Sequence, residues 1–143
     1  MAISQAVANS FKSEILQGIH DLESGGDSFK LALYTSVATL SSATTSYTTS
    51  SEVAASGEYA AGGGVLQSQQ VSLAAGGVAI VDFADLSFTG VTLTARGALI
   101  YNDTEADKSV CVLDFGADKT ATSGTFTIQF PQFNSSSAIL RIA

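Results

Sequence analysis

After Gln67 the chain is built almost entirely from short runs in which apolar and polar residues alternate, separated by Gly, Asp, Asn and Ser. Val71/Leu73, Ala79/Val81/Phe83, Leu86/Phe88, Val91/Leu93/Ala95, Cys111/Leu113/Phe115 and Phe126/Ile128/Phe130 each repeat at every second position. A period of two belongs to an extended strand with one face in a core and the other in water. Phe29–Thr35 is the first such strand, with Phe29, Leu31 and Leu33 inward and Lys30 and Tyr34 on the opposite face. Ala98–Tyr101 and Val110–Leu113 are continuously apolar, which predicts central strands covered on both faces. The polar stretch Asn102–Lys108 between them suits a hairpin tip. Pro131 stops the strand over Phe126–Phe130, and Ala138–Ile142 closes the chain as a late strand. Eight or so short strands with turns between them predict a mainly β fold, an antiparallel β-sandwich of jelly-roll-like arrangement.

The segment before the strands follows a different period. Val7, Phe11, Ile15, Ile19 and Leu22 line one stripe of a helix expected over residues 5–23, with Ser4 as N-cap and Gly25–Gly26 as the stop. Gly18 weakens that helix by up to about 1 kcal/mol relative to Ala. The helix either covers an open face of the sheet or docks onto a partner; covering the sheet is the expectation. One domain, residues 1–143, is expected, with the sandwich over 29–142 and a long Ser/Thr-rich loop at about 41–57. Gly62–Gly63–Gly64 lacks the Gly-Lys-Ser/Thr of a phosphate loop and reads as a turn or bulge.

Composition narrows what such a fold can do. Charged residues make up 13% of the chain, and 20 Ser and 14 Thr supply most of the remaining polarity. A surface of hydroxyls, Ala and Gly costs less to desolvate than one of Lys and Glu, which suits a subunit partly covered in an assembly. The net charge of −7, with Lys12, Lys30, Arg96, Lys108, Lys119 and Arg141 scattered, argues against nucleic acid and against anionic membranes. No apolar run approaches the roughly 20 residues that span a bilayer, and no secretory signal is seen, so synthesis in the cytoplasm is expected.

Chemistry is sparse. His20, the single histidine, is expected on the polar face of the helix, without a partner for a Ser–His–acid relay or a metal site. Asp82/Asp85 and Asp103/Asp107 are the local carboxylate pairs; turn capping explains them better than glycoside hydrolysis or Ca²⁺ binding. Cys111, set in Val110–Leu113, reads as a small buried hydrophobe. Asn102–Asp103–Thr104 and Asn134–Ser135–Ser136 match the glycosylation sequon, a weak signal outside the secretory route. The expectation is a non-enzyme with no catalytic, cofactor-binding or metal residues.

Several longer motifs stand out together: Phe29–Lys30–Leu31–Ala32–Leu33–Tyr34–Thr35–Ser36, Gly57–Glu58–Tyr59 with Gly62–Gly63, Asp82–Phe83–Ala84–Asp85, Ala95–Arg96–Gly97–Ala98–Leu99–Ile100–Tyr101–Asn102, Val112–Leu113–Asp114–Phe115–Gly116 and Phe126–Thr127–Ile128–Gln129–Phe130–Pro131. With Phe11–Lys12 ahead of Gly18–Ile19–His20, the set resembles small virion structural proteins of tailed bacteriophages across nearly the whole chain. The resemblance implies a capsid decoration (cement or knob) protein on the outer surface of the head, with the major capsid protein as partner. Together with the low surface charge it implies self-association, as a trimer on the shell. The 41–57 stretch and the helix are the expected docking segments. The alternative is a tail or fibre component that binds host glycans, for which Tyr34, Tyr47 and Tyr59 would supply stacking faces.

Overall fold

The computed structural model describes residues 2–143. Among these, the elements run β1 (Ala6–Val7), α1 (Asn9–Leu16), β2 (Phe29–Tyr34), β3 (Gly64–Val65), β4 (Gln70–Ala74), β5 (Val78–Asp82), β6 (Leu86–Asn102), β7 (Lys108–Ile128) and β8 (Leu140–Ile142). They form a five-stranded sheet in the order β1-β7-β6-β2-β3 and a three-stranded sheet in the order β4-β5-β8. Every pairing within the two sheets is antiparallel. The fold is therefore mainly β, as the period of two predicts, and sandwich-like in arrangement.

The continuous apolar runs explain the centre of the large sheet. Ala32, Tyr34, Leu99, Tyr101 and Val112 bury one face, while Leu31, Leu33, Ala98, Ile100 and Cys111 bury the other. The second set belongs to the larger core, which extends to Val81 and Leu140 of the small sheet and to Phe11 and Leu22 of the N-terminal segment. The opposite face has no second sheet over it. Ile3, Ala38, Leu40 and half-buried Tyr47 cover it instead.

Strand length departs from expectation. The runs from Leu86 to Tyr101 join into one strand of 17 residues, and those from Val110 to Ile128 into one of 21. What the sequence suggests are turns inside them are register shifts, at Phe88/Val91, Val91/Leu93, Ala95/Gly97 and Ile100/Tyr101. A bulge spends an extra residue on bending the ladder while leaving the pairing on either side intact. Gly90 (φ 64°) and Gly116 (φ 79°) supply the left-handed backbone that two of these irregularities use.

The helix is shorter than its apolar stripe. It covers Asn9–Leu16 rather than 5–23, and its N-cap is Ala8, not Ser4. Ala6 and Val7 pair with Val112 and Cys111, and the Ala8 amide donates to the Val110 carbonyl at 2.9 Å. These ladder bonds hold the segment extended and outweigh its helical period. The helix ends at Gln17, where Gly18 turns left-handed at φ 72°, so Gly18 terminates the helix and Gly25–Gly26 does not. Phe11 stays buried on the stripe, and Val7 and Ile15 pack against the same core. Leu22 reaches that core from the loop that follows.

Truncating Phe11 tests whether this short helix is part of the cooperative unit. Phe11 is 5% exposed within the main core, so Phe11→Ala should lower unfolding free energy by about 3–5 kcal/mol in urea titrations. A loss below about 1 kcal/mol would show α1 to be a detached arm.

Candidate interaction surfaces

Between Lys30 and Glu58 the chain carries a single charged residue, Glu52, inside the Ser/Thr-rich stretch. Its carboxylate is where that stretch is tied down. Oε1 accepts hydrogen bonds from the Tyr59 hydroxyl at 2.8 Å and the Gly62 amide at 2.7 Å, and Oε2 accepts from the Tyr47 hydroxyl at 2.6 Å. The Tyr59 hydroxyl in turn accepts from the Leu33 amide at 2.7 Å. Tyr34 donates to the Thr48 carbonyl and Tyr101 to the Gly62 carbonyl, both at 2.6 Å. Tyr47 stacks on Tyr101 with ring centroids 4.8 Å apart. Two of the four tyrosines thus bond the Glu52 carboxylate directly, and the other two bond backbone carbonyls beside it.

Backbone bonds complete the attachment. Val53 N–H donates to the Leu33 carbonyl at 2.9 Å and Thr35 N–H to the Ser51 carbonyl at 3.0 Å. Residues 51–53 thereby extend the β2 edge beyond the point where β3 stops. Gly63 makes the return possible: at φ 81° it lies so close that a Cβ would run into the Leu31 carbonyl. The 41–57 loop, expected to dock on a partner, is anchored to its own sheet through Tyr47, Glu52 and Val53, while Ala43, Thr45, Ser46, Thr49, Ser50, Ala54 and Ala55 are exposed. Tyr34 and Tyr59 are buried and the Tyr47 ring lies on Tyr101, so these three do not form an open stacking platform for a sugar.

His20 is also not where the helical stripe puts it. The ring is fully buried, lying between Phe11 (4.8 Å) and Phe29 (6.5 Å). Asn102 Oδ1 accepts from the Thr104 and Glu105 amides, which leaves Nδ2 facing His20 Nδ1 at 3.0 Å. An amide nitrogen only donates, so Nδ1 is the acceptor and Nε2 carries the proton, donated to Glu14 Oε1 at 3.0 Å. The second Asn102 Nδ2 proton goes to Asp27 Oδ2 at 2.8 Å. Glu14 Oε2 lies 3.6 Å from Lys108 Nζ. With both ring nitrogens engaged inside the protein, His20 has no position from which to take a proton from a substrate. It joins α1, the 19–27 loop and the 102–108 hairpin.

Of the carboxylate pairs, Asp85 and Asp103 have partners within the protein, while Asp82 Oδ1 is buried with no hydrogen-bond partner among the described residues. Asp85 Oδ1 accepts from the Phe130 amide at 2.8 Å, and Asp103 lies 3.7 Å from Lys30. The hairpin tip is capped by Asn102 rather than by Asp103 or Asp107. Asn102 is fully buried, so its sequon offers no acceptor. Burial pushes the Cys111 thiol up to about 12, the behaviour of an inert core thiol. Among the described residues no group of three or more His, Cys, Asp or Glu is placed to hold a metal, and no helix is long and apolar enough to cross a membrane.

What faces solvent is the far half of the β6–β7 hairpin. Its inward positions, Phe88, Val91, Leu93 and Phe126, join the core, and the alternate positions carry hydroxyls. Ser87 Oγ bonds Thr127 Oγ1 across the strands at 2.9 Å, and Thr94 Oγ1 bonds Thr120 Oγ1 at the same distance. Thr92 Oγ1 accepts from the Ser123 amide at 3.0 Å. The result is an exposed face of cross-linked hydroxyls, bounded at one end by the Arg96–Asp114 ion pair (3.3 Å).

A scan against protein-family models and searches of curated proteins and of solved structures find no match to this chain.

Two outcomes follow from the tyrosine cluster. Glu52→Ala leaves the buried Tyr59 hydroxyl and the Gly62 amide without their acceptor, at about 1–3 kcal/mol each, and should cost at least about 2 kcal/mol in denaturant titrations. Burial, then the hydrogen bond to Glu52 and its charge, pushes Tyr47 up to about 12; burial first, with the Glu52 charge adding, also raises Tyr34, Tyr59 and Tyr101. The ordinary tyrosine value is 10.0, so stability is complete below that pH and falls above it, where the unfolded chain releases protons the folded chain keeps. Ultraviolet titration should therefore show no phenolate at pH 10 in the folded protein, with ionisation accompanying alkaline unfolding. Phenolate appearing at the ordinary value, with the fold intact, would contradict the burial of the cluster.

Proposed function

We propose that this chain is a structural protein of a tailed-bacteriophage virion, bound to the outer surface of the head as a decoration (cement) protein with the major capsid protein as its partner. The observation that carries the reading is the hydroxyl face of the β6–β7 hairpin. It is exposed, rich in Ser and Thr, and stiffened by the Ser87–Thr127 and Thr94–Thr120 bonds. Such a face can be buried against another protein at little desolvation cost and offers both donors and acceptors. The resemblance read from the sequence motifs as a set points the same way.

The hairpin face joins the 41–57 loop and the helix as a docking surface; Glu52 ties the loop to its own sheet and so holds its exposed residues in place. The mechanism makes and breaks no bond. A protein that binds the assembled shell and not its dissociated subunits stabilises the shell by RT ln(1 + [L]/Kd) per site, about 2.7 kcal/mol at a hundredfold excess over Kd. Contacts through hydroxyls are screened little by salt, unlike those of a charge-driven interface.

The test compares phage particles with and without the chain for survival of heat and osmotic shock, at low and high ionic strength. Protection at both salt levels is expected. Protection should be lost with Thr94→Lys, an exposed substitution that gives up the Thr94–Thr120 bond and should lower folding stability by no more than about 1.5 kcal/mol. Equal survival with and without the chain would favour host-surface glycan binding on the tail. Release by salt alone would show that the hydroxyl face is not the docking surface.

A further inference from the structure

The small sheet offers a second surface, independent of the virion reading. Its order puts β4 at one edge, and among the described residues no strand pairs with the outer side of Gln70–Ala74. Two residues of this edge strand are apolar and exposed, Val71 at 39% and Leu73 at 72%. The register places Val71 beside Val81 and Leu73 beside Ala79, and these beside Leu140 and Ile142. All six therefore share one face, apolar from edge to edge. Val81 and Leu140 are covered by the core, but Val71 and Ile142 line an open groove of about 610 Å³ beneath α1, where Leu16 is 89% exposed, and Leu73 extends the apolar face beyond it.

The other long edges among the described residues are guarded. Beyond Val112 the outer side of β7 carries Asp114, Asp118 and Lys119, and Gly116 bends it with a left-handed backbone. The outer side of β6 before Gly97 is taken up by Ser56 and Glu58, which bond the backbone of Thr89 and Thr92. β1 and β3 are two residues long, and β8 is three residues long and carries Arg141. Charge, bends and shortness are the devices by which sheets avoid pairing with other chains. β4 has none of them: Gln70–Val71–Ser72–Leu73–Ala74 is uncharged, free of Pro and regular in its register with β5.

We propose that β4 pairs with β4 of a second copy, antiparallel about a two-fold axis through Ser72, making one six-stranded sheet across two subunits. In that register Val71 lies opposite Leu73 of the second copy, and the apolar face continues from one subunit into the other. The charges fit a self-partner. Lys12 and Arg141 lie along the groove with Asp21 and Glu23, so this rim is balanced while the whole chain carries −7. A surface where two copies meet without net repulsion is scarce on so acidic a chain. Because the strand presents the same edge on both sides, the contact is isologous and closes at two subunits. This differs from the three-fold association expected from the sequence.

Sedimentation equilibrium on the full chain, from micromolar to hundreds of micromolar, tests the pairing. The expected species is twice the 14.6 kDa chain mass. Leu73→Lys should weaken association by at least about tenfold without altering circular dichroism, because the side chain is already exposed. Val37→Lys, at a residue 62% exposed and outside the small sheet, should leave it unchanged. Hydrogen exchange should show β4 amides gaining protection as concentration rises. A monomer across the range, a trimer, or a dimer that survives Leu73→Lys would each overturn the β4 pairing, and none of them bears on whether the hydroxyl face binds a shell.

Discussion

Everything in this molecule hangs on the burial of both faces of β2 and of the parts of β6 and β7 that run beside it. A strand with one wet face can slide or peel, but one buried on both faces has its register set by two independent packing arrangements. Leu31, Leu33, Ala98 and Ile100 fix it from one side, and Ala32, Tyr34, Leu99 and Tyr101 from the other. Each fully buried large side chain contributes about 1.5–3 kcal/mol, so moving the register by one residue would sacrifice several such terms at once. The long hairpin, the second sheet and the N-terminal segment are all positioned by this slab.

Covering the second face without a second sheet requires irregular chain, and irregular chain carries unpaired backbone. The molecule meets that cost with polar side chains placed at the cover. Glu52 gathers two tyrosine hydroxyls and a backbone amide, and the remaining tyrosines take the carbonyls of Thr48 and Gly62. On the opposite side Asn102 and His20 do the corresponding work, joining the 19–27 loop to the hairpin tip. Both networks lie inside the protein, and this leaves uncharged hydroxyls and a short apolar strip to face other molecules.

The chemistry-bearing residues were therefore the least legible part of the sequence. His20 falls on the polar face of a helix only if the helix runs to Glu23; once Gly18 ends it, the ring turns inward to Asn102, 82 residues away. Glu52 carried a local signal, as the one charge in a long uncharged stretch, but its partners come from separate elements and no spacing rule links them. Asn102 looked like a sequon and is a cap. The strand from Phe29 to Tyr34 and the hairpin ends that flank Asn102–Lys108 were legible to within a residue or two, because runs apolar on both faces have few alternatives; the far ends of β6 and β7 were not.

By itself the sequence determined that the chain is mainly β, that its centre is the pair of strands joined by Asn102–Lys108, that Cys111 is core, and that its surface is weakly charged and rich in hydroxyls. These follow from periodicity and composition, which act locally. Tertiary structure alone decided that residues 6–7 are a strand rather than helix, because the competing bonds come from Val110–Val112. It decided too that the Leu86–Tyr101 and Val110–Ile128 runs fuse into long bulged strands, that Tyr47 and Tyr59 converge on Glu52, and that β4 is left as an unguarded edge. Each depends on which distant segment arrives beside which. The free energy of that choice belongs to the pair of segments and not to either one alone.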